Sequence, residues 1–532
     1  MGLAPPLYPT TPKRSNAMSI PSRLRFLIPF AFAVGAAAAP SDLSLGPVFG
    51  DHAVLQQGKA VPVWGSSGAS DRVAVTFHGQ TVSTTAGADG RWSVSIGPFA
   101  ASADPSDLVV AAKTSITLHD VVVGEVWLCS GQSNMEFVVD DGGGTYQVDN
   151  VAAEVASANF PMIRQLKVER TVATAPATTV KTSGWQAASP ETVGGFTAVG
   201  YFFARDIHLA LGVPVGIIDS PWGGTPVESW MSDEARASTS IAGTLEERWK
   251  KAKAEWPPER VAAYPALMAA WEKSEEEAKA HHTWSKIPWP QPPASDDSPA
   301  RPGGLFNAMI APLQPTALRG ILWYQGEANV GHPGEYAELF GTMIRSWRTG
   351  FGQGDLPFYF VQLANFGSEY ELNSRDWARL REAQAKVLSL PATGMAVTID
   401  IGDAHNVHPR NKQEVGRRLA LLARANVYGI PPESSGPVFA GATPEGKSIR
   451  VRFTHAGGEL KAHDGPVGSL EVAGEDRLFY PALGTIQGDT LVASSPDVAA
   501  PVAVRYAWTN APSANLYADT GLPAVPFRSD SW

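Results

Sequence analysis

The sequence predicts an α/β protein built on a parallel sheet, with all-β segments before and after it. Two observations carry this. Five apolar runs, at 121–128, 213–219, 318–324, 357–363 and 394–400, are separated by stretches of helical period. Strands that alternate with helices form parallel sheets covered on both faces, and such buried strands read as nearly continuous apolar runs. Outside 121–430 the pattern changes to short alternating strands broken by Gly-rich turns.

From the amino end, Arg23 and Arg25 precede an apolar run from Phe26 to Ala39 that closes on small residues. This is the layout of an export signal, too short for a permanent membrane span. Residues 1–39 are assigned to that signal and a Pro-rich extension, with Met18 as a candidate start. The mature protein is expected in a periplasm or outside the cell, soluble, since no lipid-anchoring cysteine stands near the cleavage site. Residues 41–120 form an all-β domain, a candidate sandwich, because Val73–Phe77 and Trp92–Ile96 alternate with period two between turns such as Gly87-Ala-Asp-Gly90.

Residues 121–430 are assigned to the α/β domain. Helices are predicted at 196–210, at 375–389 and at 410–428, the last opening at Pro409 and closing at Gly429. Residues 235–304 interrupt the alternation with charged helical stretches and a Pro-rich run that includes Trp249, Trp256, Trp271, Trp284 and Trp289. A helical hairpin packed on the core through its tryptophans is the expected form; a cover with aromatic faces for sugar rings is the sharper alternative. Residues 431–532 return to β pattern.

Composition narrows the function. A formal net charge of −10 argues against nucleic acid or an anionic membrane as partner. Cys129 is the one cysteine, so no disulfide forms within the chain. It is read as a small buried residue at a strand end.

The chemistry lies where the apolar runs stop. The first ends in Cys129-Ser-Gly-Gln-Ser-Asn-Met135, the second in Asp219-Ser-Pro-Trp-Gly-Gly-Thr-Pro226, the third in Gln325-Gly-Glu-Ala-Asn329, and the fifth leads to Asp403-Ala-His-Asn-Val-His-Pro-Arg-Asn-Lys412. Open α/β sheets bind ligands outside the carboxyl ends of their strands. A serine, a glycine pair, an asparagine and a histidine at four such ends are the parts of an acyl-transfer site: nucleophile, oxyanion donors and base. The serine turn is not the G-x-S-x-G elbow, since Met135 stands where the second glycine would be. His405 and His408 could suggest a metal, but Pro409 places them in a loop rather than on one helix face, and no metal is expected.

These blocks, in this order, resemble the SGNH hydrolases, in particular the carbohydrate esterases of the sialate O-acetylesterase family, over roughly residues 45–530. The resemblance implies a three-layer α/β/α sandwich with a five-stranded parallel sheet, Ser133 as nucleophile and His408 as general base. It implies an oxyanion hole from the Ser133 N–H, Gly224 (with Gly223 as its neighbour) and Asn329, and no cofactor. Gln132 and Glu327 are candidates for contact with substrate. One departure concerns the acid that should orient the histidine: the positions three and two before His408 hold His405 and Asn406. Asp403 is the nearest carboxylate in sequence and is preferred, with Asp400, Glu327 or a backbone carbonyl as alternatives.

The expected activity is removal of acetyl groups from a plant cell-wall oligosaccharide such as xyloglucan or from O-acetyl sialic acid. A non-catalytic glycan-binding protein of the same fold is the alternative. A lipolytic esterase lacks support, because no apolar lid-like helix is apparent.

Overall fold

A computed structural model describes residues 42–144, 146–281, 285–288, 290, 293–367, 375–431 and 433–532. The expected export segment, Trp284 and Trp289 lie outside them. The strand Ser115–Gly131 is the spine of the fold. Its first half pairs with Ser102–Ala111 in the amino-terminal β region, and its second half lies between Val215–Pro221 and Gly320–Tyr324, parallel to both. Every residue from Val121 to Gly131 is buried, as a strand covered on both faces requires. The expected domain boundary at 120/121 therefore falls inside one continuous strand, and no linker separates the two regions. The β region adds a second small sheet, Ser44–Leu45, Val61–Ser66 and Arg91–Ile96.

The strands of the central sheet run in the order Thr182–Ala188, Phe160–Val168, Val215–Pro221, Ser115–Gly131, Gly320–Tyr324, Phe358–Val361, Thr393–Ala396. All are parallel to their neighbours except the edge strand Thr182–Ala188. The expected count of five parallel strands is corrected to six. The strand missed, Phe160–Val168, carries Arg164, Gln165 and Lys167, which mask its apolar pattern. Arg164 is only 2% exposed because its guanidinium donates to the carbonyls of His52 and Asp120, at 2.9 and 2.6 Å, and to the Asp120 carboxylate at 3.0 Å. A buried cation with matched acceptors cannot be told from a solvent-facing one by periodicity.

Successive side chains of a strand point to opposite faces. Trp127 faces the helix Ala198–Leu211, with its ring 4.9 Å from Phe203, whereas Trp323 faces Pro333–Phe351, 5.6 Å from Trp347. Helices thus cover both faces of a mixed α/β fold. Ala198–Leu211 starts on Thr197, whose hydroxyl accepts the Gly200 N–H, and ends at Gly212 in the left-handed region. The last helix begins later than expected, at Lys412: Asn411 caps it by accepting the Glu414 N–H, and Pro409 stays in the loop.

In the insertion the helices are Asp233–Ala237, Ala242–Ala254 and Pro258–His281. Leu245 is buried, while Trp249, Trp256 and Trp271 are half-buried. Trp256 carries the Arg260 guanidinium on its face at 4.3 Å, and Arg248 grips Glu335 of the catalytic domain through two hydrogen bonds. The carboxyl-terminal strands dock on the helix Asp376–Lys386 through the ion pairs Arg375–Glu471 and Arg528–Glu382 and through Arg381, which donates to the Thr509 and Asn510 carbonyls.

Candidate active site

Three strand ends meet at the serine. Gly131 has φ +134°, and a Cβ there would lie 2.1 Å from the Tyr324 carbonyl oxygen, so only glycine lets the two strands close. The Gln132 N–H donates to that same oxygen at 2.9 Å. The chain then turns into the short helix Ser133–Glu136, which presents the Ser133 hydroxyl.

His408 stands on the loop before Lys412–Asn426, and its Nε2 lies 2.8 Å from Ser133 Oγ. Two residues separated by 275 positions are thereby brought to hydrogen-bond distance. The imidazole packs against the Tyr146 ring, edge to face, at 5.3 Å. Asn406 Oδ1 accepts the His408 N–H at 2.9 Å, and Asp403 Oδ1 accepts the His405 N–H at 2.8 Å. Both side chains shape the loop's backbone, and Asp403 is exposed. Asp400 is removed from the alternatives for the orienting acid: it is buried and grips Arg418 at 2.6 and 2.7 Å.

The glycine pair abuts the serine, since a Cβ on Gly223 would lie 3.2 Å from the Ser133 Cβ. The Gly223 N–H is taken by Glu136 Oε2 at 2.9 Å. Gly224, exposed and at φ +73°, follows it. Asn329 is 5% exposed. Its Oδ1 accepts from the Val227 N–H at 2.9 Å and from Gln325 Nε2 at 2.7 Å, while its Nδ2 donates to Glu228 at 2.9 Å. Nδ2 carries two hydrogens, so one remains beyond the bond to Glu228.

Gln132 and Glu327, expected to touch substrate, both engage their side chains within the protein. Gln132 is buried, and its Oε1 accepts the N–H groups of Gly326 and Ala328, at 3.3 and 3.2 Å. Glu327 turns its carboxylate inward. Oε1 accepts from Asn134 Nδ2 at 2.6 Å, and Oε2 is enclosed without a hydrogen-bond partner. Desolvation raises the pKa of this carboxyl above its ordinary value. Across Asn134 from it lies Lys412, 0% exposed, its ammonium donating to Asn134 Oδ1 at 2.5 Å and resting over the rings of Phe137 and Tyr324. Burial pulls the Lys412 pKa down to about 7 against the opposing pull of Glu327. Sequence reasoning missed Asn134 and Lys412 as site residues. The one available signal was position: Asn134 follows the serine, and Lys412 comes four residues after the histidine.

Comparison with known proteins points to carbohydrate esterases. Residues 288–424 match the family model described as carbohydrate esterase, sialic acid-specific acetylesterase. The sialate O-acetylesterase of Rattus norvegicus is 29% identical over 531 residues, covering 90% of this chain and 93% of that one. The human sialate O-acetylesterase is 28% identical, covering 78% and 76%. The crystal structure of a carbohydrate acetylesterase from Xanthomonas citri is 37% identical, covers 92% of this chain and 100% of its own, and superposes with a TM-score of 0.77. The chain is an esterase and belongs with the carbohydrate acetylesterases.

Proposed function

We propose that this carbohydrate acetylesterase works through a serine acetyl-enzyme on an SGNH-type α/β/α scaffold, and that its substrate is a neutral acetylated plant cell-wall oligosaccharide of the xyloglucan kind. The 2.8 Å contact between His408 Nε2 and Ser133 Oγ carries the mechanism. Ser133 attacks the acetyl carbonyl while His408 takes its proton. The N–H groups of Ser133 and Gly224 and the second hydrogen of Asn329 Nδ2 receive the oxyanion. His408 then protonates the departing sugar oxygen, and an activated water releases acetate from Ser133.

The surroundings of the serine favour a neutral sugar over a sialoside. An anionic substrate needs an available cation. Two exposed cations near the serine and histidine are already paired, Arg170 with Glu136 and Arg410 with Asp149, and Glu228 adds a further carboxylate at Asn329. Trp222, next to the glycine pair with the Arg170 guanidinium 6.0 Å from its ring, and Tyr146, against His408, supply aromatic rings on which a pyranose can stack. Export through the amino-terminal segment to a periplasm or the exterior belongs to the same proposal, because polymeric substrates are met there.

Acetate release from acetylated xyloglucan, acetylated xylan, 9-O-acetyl sialic acid and a p-nitrophenyl acyl series tests it. Highest kcat/KM on xyloglucan and a sharp preference for acetyl over longer acyl groups are expected. Faster turnover of the sialoside overturns the substrate, and full activity of Ser133→Ala overturns the mechanism.

A further inference from the structure

Asn134 joins the two halves of the proposed catalytic pair from beneath. Its side chain is buried and makes three hydrogen bonds: Oδ1 accepts from Lys412 Nζ at 2.5 Å, and Nδ2 donates to Glu327 Oε1 at 2.6 Å and to the Val407 carbonyl at 2.9 Å. Both amide hydrogens are used. The Val407 carbonyl can only accept, so a flipped amide would set its oxygen against that carbonyl and release Val407 whatever the charge on its other partners. With Lys412 and Glu327 ionised, flipping would also set donor against donor and acceptor against acceptor. Asn134 directly follows Ser133, and Val407 directly precedes His408. One side-chain amide thus fixes the spacing of two backbones whose adjacent side chains form the 2.8 Å contact.

We propose that Asn134 is a positioning residue that sets the Ser133–His408 separation, and that Glu327 and Lys412 hold its amide in the one orientation that grips Val407. The inference rests on the serine mechanism proposed above. Three features support it. The three groups come from the nucleophile turn, from the short turn Glu327–Asn329 and from the first position of Lys412–Asn426, so they tie separate elements together. Their burial opposes folding: a lysine rests against aromatic faces and one carboxylate oxygen has no partner. Buried ionic groups of this kind are retained where they specify a geometry more than where they stabilise. Finally, the Val407 carbonyl that the amide grips lies between Asn406, whose side chain accepts the His408 N–H, and His408 itself, so the grip acts on the loop at the histidine.

Misplacing a reacting pair by an ångström costs about 10²-fold in rate. Asn134→Leu should accordingly lower kcat on p-nitrophenyl acetate about 10²-fold with KM little changed. It should slow phosphonylation of Ser133 by a fluorophosphonate by a similar factor, with circular dichroism unaltered. The double variant Glu327→Met/Lys412→Met keeps Asn134 but removes what orients it, and should slow labelling roughly tenfold. It decides the matter where Asn134→Leu does not fold. Failure of the wild-type enzyme to label at Ser133 overturns the serine mechanism itself. Normal wild-type labelling with an unchanged rate in the folded variants leaves that mechanism standing and overturns the positioning role, as does a loss expressed only in KM.

Discussion

Among the carboxylates enclosed at this sheet, two that lie at opposite ends of the parallel strands are treated in opposite ways. Glu125, 0% exposed at the amino end, accepts from Arg319 at 2.5 and 3.0 Å, from Gln57 at 2.6 Å and from Gln56 at 3.2 Å. Both of its oxygens are matched, and through Gln56 the cluster ties the amino-terminal β region to the catalytic sheet. Glu327, at the carboxyl end, has one oxygen bonded to Asn134 and one with no partner, and its cation lies on the far side of an amide. Where pairing is complete, the polar group serves the fold. Where it is left incomplete in a native protein, a functional reason is to be sought.

Activity and stability should separate along this line. The largest effects belong to the carboxyl end. Ser133→Ala and His408→Ala should each cost roughly 10⁴–10⁶ in kcat with the fold retained, and the double variant should be little worse than either, because members of one catalytic unit are not additive. Steady-state kinetics on p-nitrophenyl acetate reads this, and additive losses would mean that the two residues act independently. At the amino end, Arg319→Met leaves Glu125 buried and unpaired. It should lower unfolding free energy in urea by about 3–5 kcal/mol while the folded enzyme keeps its kcat. A reduced kcat there would erase the contrast between the two ends.

Asn329→Ala sharpens the comparison. Loss of an oxyanion donor should lower kcat about 10²–10³-fold, or ~2.7–4 kcal/mol, with KM nearly constant. A raised KM at normal kcat would make Asn329 a substrate contact.

Asp219 tests whether incomplete pairing at the carboxyl end weakens the fold. It is buried with Oδ1 unmatched, and desolvation lifts its pKa to about 7, against the pull of Lys167. The folded pKa lies above the ordinary 3.8. The contribution to stability is therefore full below pH 3.8 and is lost as pH rises through about 7. Asp219→Asn should gain about 4 kcal/mol over wild type at pH 8 and almost nothing at pH 4, measured by urea unfolding. A gain of equal size at both pH values would assign the effect to packing.

The smallest effect is expected at Asp403. Its exposed carboxylate holds the His405 N–H, a bond that asparagine can also accept. Asp403→Asn should thus stay within about tenfold of wild-type kcat, whereas a loss near 10⁴ would make it the orienting acid.

The amino-acid sequence by itself determined the alternation of strands and helices and the order of strand ends bearing Ser133, Gly224, Asn329 and His408. These are local properties: apolar runs, caps and turns act within a few residues. The tertiary structure alone decided what depends on polar partners far along the chain. It placed Phe160–Val168 in the sheet, because Arg164 finds acceptors 44 and 112 residues away. It ran Ser115–Gly131 through the expected domain boundary. It committed the Gly223 N–H to Glu136, turned Glu327 inward, and buried Lys412 against Asn134 across 278 residues. A lysine at the start of an amphipathic helix reads as solvated in any local window. Only the folded chain brings it an acceptor and two aromatic faces, and without those partners its burial would cost more than the fold could bear.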